Sequence, residues 1–229
     1  MRAGLWGSAR GGLGSRASHA LRALNDRHPW SHNDAFHSWV LSRLPARRGL
    51  ALDVGCGRGE LLARLADHFE RAHGIDADED MRRASERRCA GLPHVTVGAG
   101  PLEDHPPGVD LVTMVAVLHH LDLEHALQEV RRVLNPGGRF LCVGLARPAS
   151  PVDHAWEVAS MVTNPLIGMV RHPWVARMPP GPDPFPTKEP ELTLGEIQTA
   201  AQEALPGVVV RRHLGFRHTL EWTKPLPRR

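Results

Sequence analysis

The chain has 229 residues, enough for one α/β domain with a full core and short for two. Its net charge is only +3, and residues 1 to 25 hold Arg2, Arg10, Arg16 and Arg22 with no acidic residue, so the remaining body is near neutral and the basic balance is no argument for nucleic acid. Cys56, Cys89 and Cys142 are an odd set with no CxxC pair, which implies no disulfide framework or zinc knuckle and suggests reduced thiols in a cytoplasmic protein. No apolar run reaches the roughly 18 residues that a membrane span needs.

The opening "MRAGLWGSARGGLGSRASHALRAL" resembles a transit peptide in composition, but its glycines make a poor amphipathic helix. A disordered basic tail over 1–25 is the expectation. Residues 26–48 are expected to form an amino-terminal cap helix, since "HPWSHNDAFHSWVLSRLP" (28–45) resembles the cap helix of some bacterial α/β enzymes. From Gly49 on, strand-length apolar runs alternate with helix-period segments, the pattern of a mostly parallel sheet covered on both faces. The expected fold is a doubly wound, Rossmann-like α/β sheet of seven strands, with the last strand antiparallel.

"LALDVG" (50–55) reads as the first strand, followed by a helix over 60–72 with Leu61, Leu62, Leu65 and Phe69 on one face. "AHGID" (72–76) is the second strand and a charged helix covers about 78–90. "HVTVGA" (94–99) is the third strand, and the almost wholly apolar "VDLVTMVAV" (109–117) is the central fourth. A helix over 123–134 precedes an "NPGG" turn at 135–138 and the fifth strand at 139–146. The pattern breaks over 147–191, which ends in the proline-dense "MPPGPDPFPTKEP"; an irregular insertion in a regular scaffold reads as a lid. A helix over 193–205 and two closing strands, "VVVRRHL" and "RHTLEWTK", finish the domain.

"LDVGCGRG" carries the chemistry. A chain that turns sharply from strand into helix, while letting a ligand approach its backbone, needs glycine; Gly55, Gly57 and Gly59 supply it. Asp76 falls about 20 residues on, at the end of the second strand, where a carboxylate can accept from both ribose hydroxyls. A dinucleotide turn of the GxGxxG type would put glycine at position 60, which is Glu60. Asp53, at the end of the first strand, would repel a pyrophosphate and welcome a cationic ligand.

"LDVGCGRG" resembles motif I of the class I S-adenosylmethionine-dependent methyltransferases, and the resemblance extends over about 49–145. It implies S-adenosylmethionine as cofactor, held by Asp53, Gly55, Cys56, Gly57 and Gly59. "HGIDADEDMRRA" is similar to the family's second motif, which places Asp76 on the ribose and Ala77 beside the adenine. "VDLVTMVAVLHHLD" resembles the fourth-strand segment, whose backbone carbonyl near Val115 or Ala116 would meet the cofactor's amino group. "ALQEVRRVLNPGGRFLCV" resembles the helix, PGG turn and fifth strand of small-molecule members. One position departs from the pattern: where the family usually has an acid on the adenine amino group, this chain has Ala99 or Gly100, so backbone near Gly100, Pro101 and Leu102, or Glu103 or Asp104, would hold the adenine.

Methyl transfer is an in-line displacement, needing alignment and a base only where the nucleophile arrives protonated. His119 and His120, just past the fourth strand, stand where ligands bind open α/β sheets. They are candidates for that base, the alternative being packing or capping ahead of Asp122. His32, with Asn33, is a third candidate in the amino-terminal helix; the spacing of His28, His32 and His37 makes no clean metal set, and no metal is expected. Trp156, Met161, Met169, Trp174 and Met178 would give the insertion a flat, apolar acceptor surface or its own core.

The absence of an (N/D)PP(Y/F) motif after the fourth strand and of a Pro-Cys nucleophile argues against a nucleic-acid base as acceptor. A small-molecule or short-peptide acceptor, methylated on nitrogen or oxygen, is the expectation, with no nucleic-acid or membrane partner. The alternatives are a non-catalytic scaffold that keeps the fold, and an NAD-dependent oxidoreductase. The latter is disfavoured by the glycine spacing, by Asp53 and by a chain without tyrosine.

Overall fold

The computed structural model describes residues 32–149, 189–213 and 217–227. The expected tail over 1–25 and most of the expected lid lie outside the described residues, as do Trp156, Met161, Met169, Trp174 and Met178.

Twelve regular elements are described. They are α1 (His32–Leu41), β1 (Leu50–Val54), α2 (Glu60–Ala66), β2 (Arg71–Ile75), α3 (Glu79–Cys89) and β3 (Val95–Gly98), then β4 (Val109–Val115), α4 (Leu123–Val133), β5 (Leu134–Gly144), α5 (Leu194–Ala204), β6 (Val209–His213) and β7 (Arg217–Thr223). The sheet has seven strands in the order β3-β2-β1-β4-β5-β7-β6. All neighbours through β5 pair in parallel, and β7 runs antiparallel to both β5 and β6. The doubly wound sheet with an antiparallel last strand is therefore what forms. The chain reverses direction across β1 and β4, which opens a crevice at their carboxyl ends, the place where such sheets take ligands.

Two apolar layers flank the sheet. Leu52, Val112, Met114, Leu127, Val130, Phe140 and Trp222 build one with α4 and α5; Val40, Leu62, Leu65, Leu111 and Leu141 build the other with α1 and α2. β4 is buried along nearly its whole length, which explains its unbroken apolar run. Helix starts are marked in the sequence. Asp78 caps α3 by accepting from the amides of Asp80 and Met81, and Thr193 with Glu196 forms a capping box on α5.

At the amino ends of the strands, buried Asp110 accepts from the amides of Gly49 (2.9 Å) and Leu50 (3.3 Å) and from Asn135 Nδ2 (2.7 Å). It ties β1, β4 and β5 together. α1 lies against this body with Phe36 edge-on to His213 and Arg43 paired with Glu221, so its amino end is at the sheet's carboxyl edge.

Two expectations are corrected. The helix predicted over 60–72 stops at Ala66, because the amides of His68 and Phe69 both fold back on the Leu65 carbonyl and Arg71 already pairs with Gly49. Phe69 still reaches the core, at the helix's foot rather than on its face. The predicted "NPGG" turn is instead an irregular part of β5: the register against β4 shifts between Val109 and Leu111, Gly137 has φ +78°, and its amide donates to the Lys224 carbonyl. Among the described residues no helix is long and apolar enough to cross a membrane.

Candidate active site

The glycine turn is built as its letters require. Gly55, Gly57 and Gly59 all have φ between +54° and +78°, a region that side chains other than glycine rarely enter. At two of them space decides as well as torsion. A Cβ on Gly55 would collide with the Val117 side chain from the segment after β4, and one on Gly59 would lie 2.5 Å from Ser85 Oγ and 3.1 Å from Ser85 Cα on α3.

Asp76 closes the turn from the end of β2. Its Oδ2 accepts from the Gly57 amide (2.8 Å) and its Oδ1 from the Asp78 amide (2.9 Å). A carboxylate oxygen has two lone-pair sites, so each keeps one for a ligand hydroxyl, and the group is only half-buried. Ala77, Gly100 and Pro101 lie exposed beside it. Gly100 has φ +116°, with Asp104 Oδ2 at 3.7 Å from where its Cβ would be; the two candidates for the departed acid, Glu103 and Asp104, are likewise exposed on the short turn that follows.

Asp53 is 2% exposed and accepts from Thr113 Oγ1 at 2.6 Å. Burial, with Asp76 and Glu60 close by, pushes its carboxyl up to about 7 against the pull of the Thr113 hydroxyl. A positive charge in the crevice would relieve that strain; a phosphate would worsen it. The crevice therefore fits a ligand with a ribose and a cationic portion. Cys56 faces elsewhere: its thiol packs 3.8 Å from Ser85 Oγ, burial pushes it up to about 12, and its amide donates to the Ile75 carbonyl. It serves the turn's own packing.

Past β4 the backbone is strained. Ala116 has φ +58°, the only positive value among described residues other than glycine, and its amide donates to the Val143 carbonyl. That torsion places Val117 over Gly55 and starts the short turn Leu118–His120. His119 is half-buried and His120 exposed, with ring centroids 4.1 Å apart. Of the two, His119 faces a cleft at the carboxyl edge, also lined by Leu118, Leu121, Leu145, Ile197 and His218. His32 belongs by its backbone to the first turn of α1, which starts at that edge. His37 is buried. No metal-binding group of His, Cys, Asp and Glu exists among the described residues.

Sequence reasoning missed Thr113, Val117 and His218. Thr113 had a signal, being a lone hydroxyl inside an apolar strand. The other two had none, since their roles depend on contacts between distant segments.

A glycine turn, a half-buried carboxylate that caps it and a second, buried carboxylate at a sheet's reversal point are the arrangement with which α/β enzymes take nucleosides. Residues 52–142 match the model of the methyltransferase domain. An uncharacterised methyltransferase of Mycobacterium tuberculosis is 30% identical over 201 residues, 86% of this chain and 98% of that one. A demethylmenaquinone methyltransferase of Staphylococcus aureus is 30% identical over 139 residues, 56% of this chain and 57% of its own. Among solved structures, an S-adenosylmethionine-dependent methyltransferase from Aquifex aeolicus aligns with a TM-score of 0.55 at 18% identity, covering 90% of this chain and 97% of that one. The chain belongs to the methyltransferase-domain family and is an S-adenosylmethionine-dependent methyltransferase.

Proposed function

We propose that the chain transfers a methyl group to nitrogen or oxygen of a small molecule or short peptide bound in the carboxyl-edge cleft. The observation that carries this reading is His119, half-buried on the wall of a mostly apolar cleft next to the segment that covers the glycine turn. When bound, S-adenosylmethionine supplies an activated methyl on a sulfonium. In this reading Asp76 receives the ribose hydroxyls, the glycine turn admits the cofactor's backbone-facing edge, and Ala77 with Gly100 and Pro101 flanks the adenine. Asp53 offers negative charge toward the cationic end, and the β4 terminus at Val115 offers carbonyls to the amino group. His119 takes a proton from the acceptor atom, a role suited to imidazole near neutral pH. His120, on the exposed side of the pair, is the poorer candidate, and the backbone of His32 lies in the first turn of α1 at the same edge.

Carbon methylation is a second reading, favoured by a relative from Rubrivivax gelatinosus, 30% identical over 132 residues, whose name is ubiquinone/menaquinone biosynthesis C-methyltransferase. An acceptor panel incubated with methyl-labelled cofactor separates the two, since the position of the label in each product is read directly by mass spectrometry. His119→Ala is expected to lower kcat by about a hundredfold, the scale of general-base catalysis, with cofactor affinity unchanged. Unaltered kcat would remove His119 from the chemistry.

A further inference from the structure

His218 stands outside everything assigned so far. It is on β7, paired in register with Gly144 at the carboxyl end of β5, and is 2% exposed. Its ring occupies the space a side chain at 144 would fill: a Cβ there would lie 2.5 Å from His218 Cε1. Neither Nδ1 nor Nε2 has a hydrogen-bond partner among the described residues. A buried imidazole with both nitrogens unsatisfied costs stability, and native proteins keep few such groups without a use.

The ring forms part of the wall of the cleft that His119 also lines. Around it the wall is apolar, and two of the large apolar side chains most exposed to solvent, Leu121 and Leu192, each 40%, belong to the same cleft. Charge decides what polar group could meet the ring. Burial first, then Arg217, His119, His213 and Arg212, hold the imidazole neutral by lowering it to about 4; the one acid lining the cleft, Glu191, is exposed. A neutral ring cannot form an ion pair with a carboxylate, and the surrounding cations oppose an ammonium. A neutral hydroxyl can either donate to the bare ring nitrogen or accept from the protonated one.

We propose that His218 is the specificity-determining residue of the acceptor pocket, and that it selects an apolar acceptor bearing a neutral hydroxyl. The inference rests on the reading of the cleft as the acceptor site. The hydroxyl bonds to the imidazole while the apolar body lies along Leu118, Leu145 and Ile197. Gly144 is required because it alone leaves room for the ring.

The test uses the full chain saturated with S-adenosylhomocysteine, titrated by calorimetry with 2-naphthol, its methyl ether 2-methoxynaphthalene, and 2-naphthoate. Wild type is expected to bind 2-naphthol about tenfold more tightly than either analogue. His218→Leu should bind 2-naphthol and the ether alike, while His218→Asn, which keeps a hydrogen-bonding group, should retain part of the preference. Equal binding of naphthol and ether by wild type, no binding of 2-naphthol at about 1 mM, or a preference intact in His218→Leu overturns the proposal. The wild-type comparison decides even if the leucine variant does not fold. S-adenosylhomocysteine failing to bind wild type would instead overturn the cofactor site, a separate result read before any naphthol is added.

Discussion

Between β1 and β2 the carboxyl edge of the sheet is made of backbone: three glycines with positive φ, their amides, and one carboxylate that caps them. Beyond β4 the same edge is made of side chains, those of Leu118, His119, Leu145 and His218. The first half can be built in few ways, because left-handed torsions and close approach both demand glycine. The second can be built from many residue types, since any packed set of side chains leaves some cleft. On the proposed reading, cofactor recognition is thus written in the sequence as spacing, while acceptor recognition is written only in three dimensions.

The sharpest way to break this contrast is Gly55→Ala. The left-handed torsion costs about 1 to 2 kcal/mol and overpacking against Val117 about 1 to 3 more. Cofactor binding should vanish from calorimetry and the melting midpoint should fall. Adding Val117→Ala should recover part of the stability. Full binding by Gly55→Ala would show that the turn is not the cofactor's cradle.

Asp53 gives a pH test. Its pKa is raised from 3.8 to about 7, so between those values the folded chain holds a proton that the unfolded chain has released. It therefore costs stability as pH rises through that window, on the order of 4 kcal/mol in full. His218 runs the other way: lowered from 6.5 to about 4, it leaves its full stability above 6.5 and loses it as pH falls toward 4. The two slopes oppose each other in wild type. Urea unfolding of Asp53→Asn should show stability rising with pH from about 4 to 6.5, and a curve parallel to wild type would contradict the placement of Asp53. Cofactor affinity should also rise with pH toward 8 in wild type and lose that dependence in the variant.

Asp76→Ala is expected to weaken S-adenosylmethionine binding by about 1.5 to 3 kcal/mol, the scale of hydrogen bonds to a charged group. Calorimetry with an unchanged Kd would take the ribose off Asp76. The smallest effect is expected at His120. Exposed, with its ring tilted against that of His119, it should tolerate alanine within about 0.5 kcal/mol and leave kcat unchanged. A large loss of turnover there would exchange the roles of the two histidines.

Legibility in the sequence followed the same division. The strands through β5 could be placed from apolar runs, and α3 and α5 from Asp78 and Thr193, because burial on both faces and capping each act over a few neighbouring residues. The foot of α2 misled because Phe69 keeps the helical spacing while its backbone has left the helix. "NPGG" misled because a proline and two glycines signal a turn equally well when they form a bulge pinned by Lys224, 87 positions after Gly137. Asp53 was legible as an acid at the strand's end, but its bond to Thr113 depends on β1 meeting β4.

Asp110, at the opposite end of the sheet from either site, bears on how the chain assembles. Its carboxylate receives Gly49, Leu50 and Asn135 only after segments 60 positions apart have docked. An interaction between segments so far apart in the chain is expected to form after most of the folding transition state. Asp110→Asn should therefore leave the refolding rate nearly as it is and speed unfolding, so that the latch sets how long the folded sheet lasts rather than how fast it forms.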